Sequence, residues 1–103
     1  MKYQLVLQWP CQSGAADYDH LVSMEEAIAE RLSGESEVDG HDIGSEEMNI
    51  FVLTDEPLLS FERIKEALGE YNAWPNVRVA YREVSGDKYT ILWPTQLTEF
   101  RVA

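Results

Sequence analysis

Met48-Asn49-Ile50-Phe51-Val52-Leu53-Thr54 is the most apolar run in the chain, and its β-favouring residues fall on both faces of an extended segment. It predicts a central strand, closed by Asp55-Glu56-Pro57. Immediately before it, residues 35–47 are polar and carry Gly40 and Gly44, which reads as a short irregular strand and a turn. Further back, Leu21, Met24, Ile28 and Leu32 recur at helical spacing, with Asp17 or Asp19 as N-cap and Ser33-Gly34 as the stop. At the N-terminus Tyr3, Leu5, Leu7 and Trp9 alternate with Lys2, Gln4, Val6 and Gln8 until Pro10, the pattern of a half-buried strand. Residues 11–16 form a small-residue loop between that strand and the helix.

On the other side of the central run, Ser60 is placed to cap a second helix with Glu62 in its first turn. Phe61, Ile64, Leu68 and Tyr71 form its apolar stripe, and Gly69 lies near its end. Val77 to Val84 alternates again, Ser85-Gly86-Asp87 signals a turn, and Lys88 to Trp93 completes a hairpin. The order βαββαβ with an appended C-terminal strand predicts an α+β fold, a two-layer ferredoxin-like sandwich in a single domain over residues 1–103. Right-handed crossovers predict that the first strand and Met48–Thr54 are central and parallel, with both helices on one face.

The chain has 103 residues, 45% of them hydrophobic, with 19 acidic against 8 basic residues and a formal net charge of -11. A domain of this length buries roughly two thirds of its unfolded surface, so the fold needs no disulfide, metal or cofactor to stand. Binding to a phosphate backbone draws on clustered Lys and Arg, and eight basic residues scattered among 19 carboxylates exclude nucleic acid and anionic membrane as expected partners. A basic protein, a cation or no partner at all remain. The single Cys11 has no internal disulfide partner, and the apolar stretch from Tyr3 to Trp9 is too short and too polar for a membrane span or a signal core. A soluble cytoplasmic protein is expected.

All three tryptophans precede proline, at Trp9-Pro10, Trp74-Pro75 and Trp93-Pro94. In the parallel topology they gather at one end of the sheet beside Cys11, as an aromatic patch for a small ligand or a partner side chain, or simply as the seal of a small core. Asp39-Gly40-His41-Asp42-Ile43-Gly44-Ser45-Glu46-Glu47 gathers one imidazole, four carboxylates and two glycines, and in that topology lies at the opposite end. His41 beside an orienting Asp42 suits acid-base work, and Asp39, His41 and Asp42 are candidate metal ligands. A solvated turn, with the glycines at positive φ, is the alternative. An EF-hand register fails, because counting from Glu37 the sixth position is Asp42 and the twelfth is Met48. His20 reads as a surface residue in a first helical turn. Cys11 near a helix N-terminus lacks any Cys-His signature, and no phosphate-binding or nucleophile-elbow motif is present.

Asp39 to Gly44 followed by Asn49-Ile50-Phe51 resembles a pattern of small uncharacterised bacterial proteins of similar length. The resemblance implies a bacterial cytoplasmic protein, gives weight to His41 and Asp42, and carries no catalytic assignment. Three functions follow as expectations. The first is a non-enzymatic interaction domain that dimerises through a sheet face showing Gln4, Val6, Gln8, Arg78, Ala80 and Arg82, together with either Ile50 and Val52 or Asn49, Phe51 and Leu53. The second is an acidic inhibitor or immunity-type protein using Glu35, Glu37, Asp39, Asp42, Glu46 and Glu47 against a basic partner. The third is a metal binder or acid-base enzyme built on His41 and Asp42.

Overall fold

The computed structural model describes residues 1–11, 16–32, 36–44, 46–69 and 76–102. In chain order the elements are β1 (Tyr3–Pro10), α1 (Ala16–Arg31), β2 (Ser36–Ile43), β3 (Glu47–Thr54), α2 (Pro57–Gly69), β4 (Arg78–Glu83) and β5 (Thr90–Trp93). The strands form one sheet in the order β2-β3-β1-β4-β5, antiparallel at every neighbouring pair. The chain is therefore α+β, a five-stranded antiparallel sheet carrying two helices.

β1 and β3 are adjacent and interior, but they are antiparallel, which corrects the parallel arrangement expected from the crossover rule. The helical crossover from β1 leads to β2, and a tight turn then returns β3 between the two. The parallel companion of β1 is thus β2, one strand removed.

Alternation sorts the sheet into two faces. Leu5, Leu7 and Trp9 on β1 stand beside Val52, Ile50 and Met48 on β3, and Leu7 also stands beside Val79 on β4. These residues pack with Leu21, Met24 and Ile28 of α1 and Phe61, Ile64 and Leu68 of α2 in one core, so both helices cover the same face. Burying such side chains is worth roughly 1.5–3 kcal/mol each before conformational entropy is charged against it.

Helix starts differ from expectation. α1 begins at Ala16, which puts Asp17 and Asp19 inside it, and α2 begins at Pro57, where a missing N–H costs no hydrogen bond. Ser60 is consequently a turn inside α2 and fully buried. The Ser36 hydroxyl donates to Thr54 Oγ1 at 2.9 Å, Thr54 Oγ1 and Ser60 Oγ lie 2.8 Å apart, and Ser60 closes the ring to Ser36. Thr54 Oγ1 also accepts the Glu56 N–H at 2.9 Å. Buried hydroxyls cost free energy unless partnered, and this ring partners three while fastening β2 and β3 to the start of α2.

β5 is shorter than the predicted Lys88–Trp93 strand. The turn before it is closed by Arg82, whose guanidinium donates to the carbonyls of Glu83, Val84 and Gly86 at 3.1, 3.0 and 2.9 Å. Past β5 the chain returns over the face opposite the helices: Gln8 Nε2 donates to the Arg101 carbonyl at 2.9 Å, and the Phe100 ring lies 5.0 Å from that of Tyr89. The expected half-buried β1 is corrected on this face. Val6 and Ala80 have no solvent exposure and Gln8 and Asn49 have 1%, so β1 is buried on both faces from Leu5 to Trp9. The register places Asn49, Phe51 and Leu53, not Ile50 and Val52, on this outer face. Among the described residues no helix is long and apolar enough to cross a membrane.

Candidate functional site

The polar segment before β3 is mostly strand, and its irregularity is a bulge. Val38 pairs with Val52 and Gly40 with Phe51, leaving Asp39 as the extra residue. Gly40 has φ +149°, a conformation that L side chains rarely adopt, and this is the position in the segment that calls for glycine. The inserted residue reverses the facing of everything after it. His41, which strict alternation from Ser36 would turn outward, pairs with Ile50 on the helix side, and Asp42 pairs with Asn49 on the outer side.

His41 therefore meets α1. Its Nδ1 lies 3.0 Å from Glu25 Oε2, with side-chain exposures of 30% and 21%. An ionised carboxylate only accepts, so Nδ1 carries the proton in this contact. The Tyr18 ring stands edge-on to the imidazole with centroids 5.9 Å apart. Tyr18 and Glu25, seven residues apart, share one face of α1. The His41–Asp42 pairing expected from the sequence is not formed, because adjacent strand residues point to opposite faces. Asp39, His41 and Asp42 are likewise not brought together as ligands. Among the described residues no three His, Cys, Asp or Glu side chains converge as a metal site. Neither Glu25 nor Tyr18 stands out in the sequence, and the signal that points to them is Gly40 as a bulge residue.

The expected separation of the Trp cluster from the 39–47 segment is overturned by the antiparallel pairing. Trp9 pairs with Met48 and Pro10 with Glu47, while Ile43 pairs with Met48 from the other side. The end of β1 thus lies beside the β2–β3 turn. The Cys11 N–H donates to the Glu46 carbonyl at 3.0 Å, and its thiol lies 3.6 Å from the Gly44 carbonyl. Trp9 is 4% exposed and belongs to the core. Trp93 faces the helices from β5, with the Lys65 ammonium 5.6 Å from its ring centroid. Trp74 lies outside the described residues, as do Tyr71 and Glu35. His20 is exposed on α1.

Charge is distributed unevenly over this framework. Residues 1–50 contain eleven of the 19 acidic residues and only two of the eight basic ones, Lys2 and Arg31. β2 is one edge of the sheet and α1 packs beside it. Asp19, Glu26 and Glu30 on α1 and Glu37, Asp39 and Asp42 on β2 are all exposed, so carboxylates gather at the β2 side of the sheet, Glu37 and Asp42 on its outer face and the α1 residues on the helix layer. Arg78, Arg82, Lys88 and Arg101 belong to the opposite half of the chain. No protein-family model, curated protein or solved structure matches this chain.

Proposed function

We propose that this chain is a ferredoxin-like, non-enzymatic protein-interaction domain of a bacterial cytoplasm, whose acidic α1–β2 flank docks on a basic protein partner. The strand order β2-β3-β1-β4 with both helices on one face supports the ferredoxin-like plan, with β5 appended beside β4. The observation carrying the functional reading is the charge partition, with six exposed carboxylates on one helix and the neighbouring edge strand. A field of one sign on one flank raises the encounter rate with an oppositely charged surface and repels like-charged proteins. The same carboxylates guard the β2 edge against a second copy, since β2 against β2 would oppose acid to acid. Dimerisation through the outer sheet face forms no part of the proposal, because residues 97–101 already lie over its β1–β4 region.

The test uses two charge reversals of equal size. Basic proteins fractionated from the native host are passed over the immobilised full chain at low salt. At least one is retained and is released near about 0.15 M salt, where screening shortens to about 8 Å. Glu26→Lys with Glu37→Lys abolishes retention, whereas Glu62→Lys with Asp87→Lys preserves most of it. Equal loss in both variants would mean that net charge, not this flank, is recognised, and no retained protein would end the proposal.

A further inference from the structure

The outer face of the sheet carries a second feature, independent of the acidic flank. A cavity of about 530 Å³ lies over the end of β1, between the start of β4, the β2–β3 turn and the returning chain at residues 97–101. Its volume is within the roughly 300–1,000 Å³ of small-molecule sites.

Gln8 forms part of its lining. The Gln8 side chain is held by both amide hydrogens, one donated to Asn49 Oδ1 at 3.0 Å and the other to the Arg101 carbonyl at 2.9 Å. The charged lining has both signs, Arg78 and Arg101 against Glu46, Glu47 and Glu99. Arg78 and Glu47 approach to 3.5 Å and Arg101 and Glu99 to 3.8 Å. Both distances exceed the 2.7–2.9 Å typical of a charge-assisted hydrogen bond. A guanidinium fork offers five N–H donors, more than one distant carboxylate oxygen can use, and a carboxylate has about four acceptor sites, so Glu47 can take a further donor beside the partners it has.

We propose that this cavity binds a small zwitterion of amino-acid or dipeptide size, its carboxylate on the Arg78 guanidinium and its ammonium on Glu47. Two guanidinium groups oppose a divalent cation, and three carboxylates oppose a net anion. A neutral molecule carrying both charges satisfies both sets at once. The wall at residues 97–101 comes from the chain's own C-terminal segment, so the site exists only while that segment lies on the sheet.

The experiment is saturation-transfer NMR on the full chain with the twenty protein amino acids and their glycyl dipeptides as probes. At least one binds saturably below about 10 mM, and its N-acetyl and methyl-ester derivatives each bind at least about tenfold more weakly, a loss of one ionic contact. Arg78→Gln and Glu47→Gln each reproduce that loss with the remaining amide spectrum unchanged. The proposal is overturned if no probe binds, if the blocked derivatives bind as well as the parent, or if both variants bind normally. Should Arg78→Gln fail to fold, the blocked derivatives on the unaltered chain decide the matter alone. None of these outcomes depends on the basic-partner reading, which is tested on other residues.

Discussion

Leu5 and Leu7 on the helix side of β1, and Val6 and Ala80 on the other side of the sheet, all have no solvent exposure, yet the two sides are closed by different materials. The helix side is sealed by apolar stripes of two regular elements. The outer side is floored partly by polar residues, Gln8 and Asn49, and crossed by a segment without strand or helix whose Arg101 carbonyl accepts from Gln8 and whose Phe100 ring meets that of Tyr89. Burial fraction alone does not distinguish them. What distinguishes them is how much would be lost if the covering element moved away: a core on one side, a polar cavity wall on the other.

The comparison is broken most directly by truncating one residue on each side. Leu7→Ala removes a side chain enclosed by two neighbouring strands and the helices, and is expected to cost about 2–5 kcal/mol of unfolding free energy, cavity included. Val6→Ala, one residue away on the outer side, is expected to cost about 1–2 kcal/mol, nearer the transfer term, because it lies outside the core closed by the two helices. Urea unfolding of both variants gives the two values. Equal losses would mean that the outer cover is as rigid as the helical one.

Deleting residues 97–103 sharpens the same contrast. It removes the Arg101 carbonyl from Gln8 and leaves one amide hydrogen of that buried side chain without its partner, for an expected loss of about 1–2 kcal/mol with the far-ultraviolet circular dichroism essentially retained. A chain that no longer folds after this deletion would show residues 97–103 to be part of the core.

These two sides were unequally legible in the sequence. The helix side was written in periodicity: Leu21, Met24 and Ile28 at helical spacing and Tyr3 to Trp9 at spacing two both lie where alternation puts them. The returning segment is invisible in the sequence, because residues 94–102 have no period, and their docking depends on a contact with Gln8 some ninety residues away in sequence. Strand direction is hidden in the sequence for a similar reason. The crossover rule fixes handedness for parallel strands of one unit, but it does not say which later strand is the parallel one, and a hairpin inserted β3 between them. His41 and Asp42 were found as a pair of residue types, but one bulge at Asp39 sent them to opposite faces. The residue type of Ser60 suggests a cap, whereas its partners Ser36 and Thr54 come from two different strands.

The smallest effect is expected at the rim of the helix side, where His41 meets Glu25. The pair joins the edge strand β2 to α1, its side chains are 30% and 21% exposed, and water and salt reach it. Such pairs gain modest Coulomb energy and lose side-chain entropy, so His41→Ala is expected to lower unfolding free energy by at most about 1 kcal/mol, and Glu25→Gln by a similar amount. The double variant should then cost less than the sum of the two, with a coupling of about 0.2–1 kcal/mol that shrinks in 1 M salt. Part of any His41→Ala loss that survives salt belongs to the Tyr18 ring, which packs edge-on against the imidazole and does not depend on its charge. A coupling well above 1 kcal/mol, insensitive to salt, would place His41 inside the core that the helices seal, and the line between that core and the rim would have to be redrawn at β2.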